Sequence, residues 1–196
     1  MDTSIIILAA GNSSRMGKPK QLLDYKGKML LQTVIDEALK TGCFPVTVVL
    51  GANAEEILAK HQNNQVNFVI NKDWESGMAS GIVAGLSAAI EKNDKTQSII
   101  IAVADQVFIK MSTFNNLIEK HHKTGKNIIA SSYAETIGTP VFFGKIYFET
   151  LLSLKGTEGA KKLLKQYPQD VETVVFEGGE IDIDTETDYN NLISQQ

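Results

Sequence analysis

Of the 19 basic side chains in this 196-residue chain, 18 are lysine and one, Arg15, is arginine. Only a guanidinium offers a planar donor fork that stays charged at any working pH, the shape that suits phosphate. Arg15 lies in the segment Leu8-Ala9-Ala10-Gly11-Asn12-Ser13-Ser14-Arg15-Met16-Gly17-Lys18-Pro19-Lys20, which directly follows an apolar run. Three chemistries compete for it. A dinucleotide fingerprint needs glycine where Ser13 stands. A P-loop needs one residue fewer between Gly11 and Gly17, and a hydroxyl where Pro19 stands. The third reading is an open loop that lays backbone N–H groups, the Ser13 hydroxyl and two cations, Arg15 and Lys20, along a triphosphate. Small residues Ala9, Ala10 and Gly11 let a nucleotide approach the backbone closely.

Acids supply the complementary chemistry. Asp105 directly follows the apolar run Ser98–Ala104, so its carboxylate belongs at the carboxyl edge of a sheet, where an oxygen ligand can hold Mg²⁺. A lone acid there also serves as a helix N-cap or loop acid. Asp182 and Asp184 alternate with Ile181 and Ile183, which predicts a short strand with both carboxylates on one side. One of the two can complete a metal site with Asp105. Thr185 and Asp188 read as a capping pair. The segment Gly77–Leu86 opens a helix whose free N–H groups can meet a base carbonyl or phosphate, or is a plain helix start with Ser80 as cap. Asn53 can contact a base or serve only as a turn residue.

The elements that must position these groups follow from periodicity. Apolar runs at Ser4–Ala9, Val46–Leu50, Val66–Ile70, Ser98–Ala104 and Asn127–Ser132 predict buried strands. Helical spacing at Met29–Lys40, Ala54–His61, Met78–Glu91 and Thr113–Lys123 alternates with them. This predicts an α/β fold, a doubly wound and mostly parallel sheet with helices on both faces. Beyond Ser132 the alternation loosens, with strands at Pro140–Phe143 and Val171–Phe176 and helices at Tyr147–Leu154 and Gly159–Tyr167. The glycine-rich stretches lie at strand ends, where open α/β sheets bind ligands. The length fits one domain over residues 1–196.

The first segment resembles the Leu-Ala-Ala-Gly-x-Ser-x-Arg-Met-Gly-x-x-Lys signature of nucleotidyltransferases with the nucleotide-diphospho-sugar transferase fold, closest to the molybdenum cofactor cytidylyltransferase-like branch. Asp105-Gln106-Val107 is similar to that family's Asp-Gln-Pro. Gly77-Met78-Ala79-Ser80-Gly81 is similar to Gly-Met-x-Ser-Ser, and Ile181–Asp188 to Asp-Ile-Asp-Thr-Pro-x-Asp. The resemblance implies Leu8, Ala9, Ala10, Gly11, Ser13, Arg15, Lys20, Asn53, Gly77, Ser80 and Gly81 at the nucleotide. It implies Arg15, Lys20 and Asp105 in catalysis, and Mg²⁺ on Asp105 and Asp184. It places Gly138, Pro140, Gly159 and Lys161 at the acceptor, with lysine where the family has arginine. The implied reaction moves CMP from CTP to the terminal phosphate of a pterin acceptor, with a molybdenum hydroxylase as a downstream partner. Guanylyl or sugar-phosphate transfer, and non-catalytic delivery of the cofactor, are the alternatives.

Composition excludes other classes. The formal charge of −4 argues against general affinity for nucleic acid or an anionic membrane. One cysteine, Cys43, excludes an internal disulfide framework. The run Ile5–Ala10 is too short for a signal-peptide core, which gives a cytoplasmic expectation. His61, His121 and His122 show no metal-ligand spacing.

Overall fold

The computed structural model describes residues 2–61 and 64–194. The chain runs through β1 (Thr3–Ala9), β2 (Asp24–Tyr25), β3 (Lys28–Met29), α1 (Leu30–Lys40), β4 (Val46–Leu50) and α2 (Ala54–Lys60). It continues through β5 (Val66–Ile70), α3 (Met78–Lys92), β6 (Ser98–Val103), α4 (Met111–Thr124), β7 (Ile128–Tyr133) and β8 (Thr136–Gly144). The last elements are α5 (Phe148–Leu152), α6 (Ala160–Gln166), β9 (Val171–Val175) and α7 (Glu186–Ser194). Among the described residues, seven strands form one sheet in the order β5-β4-β1-β6-β8-β7-β9. It is parallel except around β8, which runs antiparallel to both β6 and β7.

The central strands β1, β4 and β6 are mostly apolar because both faces of the sheet are covered there. Ile5 and Ile7 of β1 point into one core with Leu31, Val34 and Ile35 of α1, Ile57 of α2 and Phe114 and Leu117 of α4. Ile6 points into the opposite core with Ile82 and Leu86 of α3, Leu151 of α5 and Leu163 of α6. The period-two alternation thus divides one isoleucine run between two layers. Truncating any of these fully buried isoleucines to alanine costs about 2–5 kcal/mol. Gly85 lets α3 lie close on the sheet: a Cβ there would sit 2.5 Å from Ile6 Cγ2 and 2.8 Å from Val49 Cγ2.

Three local features depart from the sequence expectation. The two-residue strands β2 and β3 form a separate hairpin, too short to leave a periodic signal. Pro140 lies within β8 beside a register shift: Ala130 faces Val141, yet Ser131 faces Gly138. Proline has no N–H to donate, so a bulge is where a strand tolerates it. Residues 181–184 form no strand. Their alternation reflects one anchor, Ile183, fully buried with Met16, Leu23, Leu30, Val107 and Leu192. This small third core ties the C-terminal segment to the loop after β1.

Candidate active site

Loop 10–19 leaves the carboxyl end of β1 and is held from within. The buried Gln21 side chain donates through Nε2 to the Ala9 carbonyl at 2.8 Å and the Gly11 carbonyl at 3.2 Å. Ser13 Oγ accepts from the Lys20 backbone N–H at 3.1 Å. Ser13 takes a left-handed backbone, φ 52°. These bonds turn the Lys20 side chain back over the sheet edge.

There Lys20 meets both acids. Its Nζ lies 2.6 Å from Asp105 Oδ2 and 2.8 Å from Asp184 Oδ1. Arg15 Nη2 donates to Asp184 Oδ2 at 2.8 Å. Burial pulls the Lys20 ammonium down, but Asp105 and Asp184 outweigh it and hold it above its ordinary value. The Lys20 bond, aided by Arg15, holds the Asp184 carboxyl below its ordinary value. Asp184 is positioned by the start of α7: Asp188 Oδ2 accepts from the backbone N–H groups of Asp184 and Thr185 at 3.2 and 2.7 Å. The Asp188 N–H donates back to Thr185 Oγ1 at 3.2 Å, the reciprocal bond of the capping pair.

The remaining oxygen, Asp105 Oδ1, is buried and has no partner among the described residues. Two carboxylates converging on one cation, with one oxygen left over, are a donor set that fits a divalent ion. No group of three or more acidic, histidine or cysteine side chains of metal-binding form occurs among the described residues. An ion held here would therefore complete its shell with water and phosphate, as Mg²⁺ commonly does.

A cleft of about 390 Å³ opens beside this cluster, walled by Leu8–Asn12, Lys20, Trp74, Gly77, Gly81 and Asp105. Gly77 turns the chain into α3 at φ 106°, and a Cβ on it would fall 2.4 Å from the Gly156 carbonyl oxygen. Leu8, Met78, Val103 and Asp105 also wall a second cavity, which adds Gln106, Tyr133, Gly138, Gly159, Lys161 and Asp182. Burial, then the nearby charges of Asp105 and Asp184, push the Asp182 carboxyl up to about 6. Asp105 stands at the wall common to both spaces.

Several expected residues stand elsewhere. Asn53 stands at the N-terminal end of α2 in a left-handed conformation, φ 59°, and makes no side-chain cap bond; it is not among the residues that wall the cleft. The Ser80 hydroxyl donates to the Gly77 carbonyl and accepts from Asn71 Nδ2, both at 2.8 Å; it braces the turn into α3 and does not line the cleft. Pro140 is buried in the bulge, while its neighbours Gly138 and Thr139 form the cavity wall. Ser13, Arg15 and Lys20 border a shallow recess with Asp184 at the mouth of the cleft. Gln21 lies outside every motif read from the spacing, and Gln106 stands in the Asp105-Gln106-Val107 motif with no role of its own assigned; what each does depends on burial.

An open loop over a sheet edge, cations opposed to paired acids, and two spaces meeting at one carboxylate define a domain suited to joining two phosphate-bearing ligands. The chain belongs to the MobA-like NTP transferase domain family, a nucleotidyltransferase family, whose model matches residues 5–171. It is 32% identical to nicotine blue oxidoreductase of Paenarthrobacter nicotinovorans, over 83% of this chain and 81% of that one. Identity to purine catabolism protein PucB of Bacillus subtilis is 28%, over 94% and 93% of the two chains. The fold matches a solved Mycobacterium sp. strain JC1 homologue of Mycobacterium tuberculosis Rv0371c with TM-score 0.85 and 26% identity, covering 99% of this chain and 96% of that one. No helix among the described residues is long and apolar enough to cross a membrane.

Proposed function

We propose that this nucleotidyltransferase transfers CMP from CTP to the terminal phosphate of a molybdopterin-type acceptor and releases pyrophosphate. The observation that carries the reading is the Lys20 ammonium held between Asp105 and Asp184 where the two cavities meet. The nucleotide lies over Leu8–Gly11, with its base toward Gly77–Gly81. The acceptor fills the cavity of Gly138, Gly159 and Lys161.

The chemistry is an in-line displacement. An oxygen of the acceptor phosphate bonds to the α-phosphorus of CTP. The bond from that phosphorus to the β-phosphate oxygen breaks, and pyrophosphate leaves with the electron pair. Catalysis is positioning and charge stabilisation, with no covalent enzyme intermediate. Arg15 and Lys20 move from their carboxylate partners to the triphosphate and neutralise charge that grows on pyrophosphate. Asp105 and Asp184, released from Lys20, would hold Mg²⁺, which supplies Lewis-acid stabilisation of phosphate oxygens when bound. A molybdenum hydroxylase would receive the product.

Cytidine is favoured by the sequence resemblance, and GTP or a sugar phosphate remains the near alternative. The product decides. Phosphorus NMR and mass spectrometry after incubation with equimolar CTP and GTP, molybdopterin and Mg²⁺ should show a CMP-linked dinucleotide. A GMP-linked product moves the chain to guanylyl transfer, and binding of molybdopterin without any product supports a delivery protein. A second reading rests on the relative at 32% identity that is named an oxidoreductase. A redox change in nicotine blue catalysed by the chain, with no pyrophosphate from any NTP, would favour it.

A further inference from the structure

The turn after β6 carries a second polar side chain that the transfer chemistry leaves unused. Gln106 is 1% exposed and lines the cavity assigned to the acceptor. Its Nε2 donates to the Gly179 carbonyl at 2.8 Å and lies 3.5 Å from the Tyr133 hydroxyl. Its Oε1 is buried and meets no donor among the described residues. Flipping the amide would set Oε1 against the Gly179 carbonyl, two acceptors 2.8 Å apart, so the orientation is fixed by its partner. A buried acceptor without a donor is costly, and a ligand that supplies the donor recovers that cost.

We infer that Gln106 is a specificity-determining residue of the acceptor cavity, its Oε1 accepting a hydrogen bond from an N–H or O–H group on the body of a phosphate monoester. The inference rests on the transferase reading. Lys161 is the cation of this cavity and Asp182 a further acceptor. The acceptor's phosphate therefore belongs toward Lys161 and the Lys20 edge, and its donor group toward Gln106. A site built around such a donor discriminates strongly against analogues that lack it, because binding them leaves the protein acceptor unpaired. The donor can be a ring N–H of a pterin or a hydroxyl of a sugar.

The test uses the full chain with saturating CTP and Mg²⁺, and with molybdopterin and glucose 1-phosphate as separate acceptor probes. Gln106→Met keeps the side-chain length and removes the acceptor oxygen together with the Nε2 donor to the Gly179 carbonyl, whereas Gln106→Glu restores an acceptor at the same reach without that donor and should recover the acceptor KM in part. Gln106→Met should raise KM for the productive acceptor by roughly 10- to 100-fold, while kcat and KM for CTP stay within a few-fold. A purely structural role would move all three together. The wild-type protein gives an independent reading: the Gln106 side-chain amide signals in nitrogen-15 NMR should shift on adding the productive acceptor and not on adding CTP alone. Response to molybdopterin identifies a ring N–H as the donor, and response to glucose 1-phosphate a sugar hydroxyl. An unchanged acceptor KM in Gln106→Met, or an amide unmoved by an acceptor that is turned over, overturns the inference. If neither probe yields pyrophosphate with any NTP, the transferase reading itself falls, and this assignment with it.

Discussion

Lys20 is the residue on which the site turns, because it occupies the place a metal would share with Asp105 and Asp184. In the proposed mechanism Lys20 has two duties: neutralising the carboxylates before substrate arrives, and neutralising the triphosphate afterward. Lys20→Ala should lower kcat/KM by roughly 10²–10³, as loss of one preorganised electrostatic donor does. Steady-state kinetics retaining activity within a few-fold would make the lysine a loop charge. Lys20→Met should tighten divalent binding by the nucleotide-free protein, since two carboxylates would converge with no resident cation. Calorimetric titration with Mn²⁺ checks this, and an unchanged affinity places the ion elsewhere. Asp105→Asn and Asp184→Asn should each abolish metal-dependent turnover with the circular dichroism spectrum intact. The sequence pointed to Asp105 because it follows a buried strand, and to Arg15 and Lys20 because they stand at fixed places in the loop motif; the structure brings Lys20 to Asp105 and both cations to Asp184. Gln106 was visible only as the middle of the Asp105-Gln106-Val107 motif, since the part proposed for it depends on a buried oxygen that no spacing reveals.

At the scale of elements, glycines and caps set where those residues stand. Gly85→Ala would drive a methyl into Ile6 and Val49, lifting α3 and the Gly77 turn that walls the cleft. Overpacking of this kind costs about 1–3 kcal/mol, and urea unfolding should show it as a lower midpoint with an unchanged slope. Asp188→Asn should lower the thermal midpoint slightly and also loosen Asp184, whose backbone N–H it accepts, so turnover should fall more than stability does. The parallel strands β1, β4 and β6 were legible because burial on both faces leaves only apolar residues. The segment 181–184 was misleading for a physical reason: alternation shows which side chain is buried, and Ile183 is buried by the loop residues Met16, Leu23 and Val107 with Tyr25, Leu30 and Leu192, without pairing to a strand.

Across the whole molecule, the two cores on either face of the sheet hold the site on one edge, and His61 is one group through which stability depends on pH. His61 follows the last residue of α2, is 4% exposed, and its Nε2 has no partner among the described residues. Burial lowers its pKa from the ordinary 6.5. At His61 the unfolded chain binds a proton more readily than the folded one as pH falls below 6.5, so this group lowers stability through that window, while Asp182, whose carboxyl is raised to about 6, opposes it there. His61→Asn should flatten the profile of thermal midpoint between pH 7 and 5; an equally steep profile would assign the loss to other groups. The charge balance of −4 leaves binding to local clusters, and the central claim concerns one of them. It is tested most directly by pyrophosphate release with CTP and molybdopterin across a Mg²⁺ titration, wild type beside Asp105→Asn. The account predicts release that requires all three components in the wild type and is lost in the variant. Release by Asp105→Asn at the wild-type rate, or none from the wild type with any of the four NTPs, would contradict it.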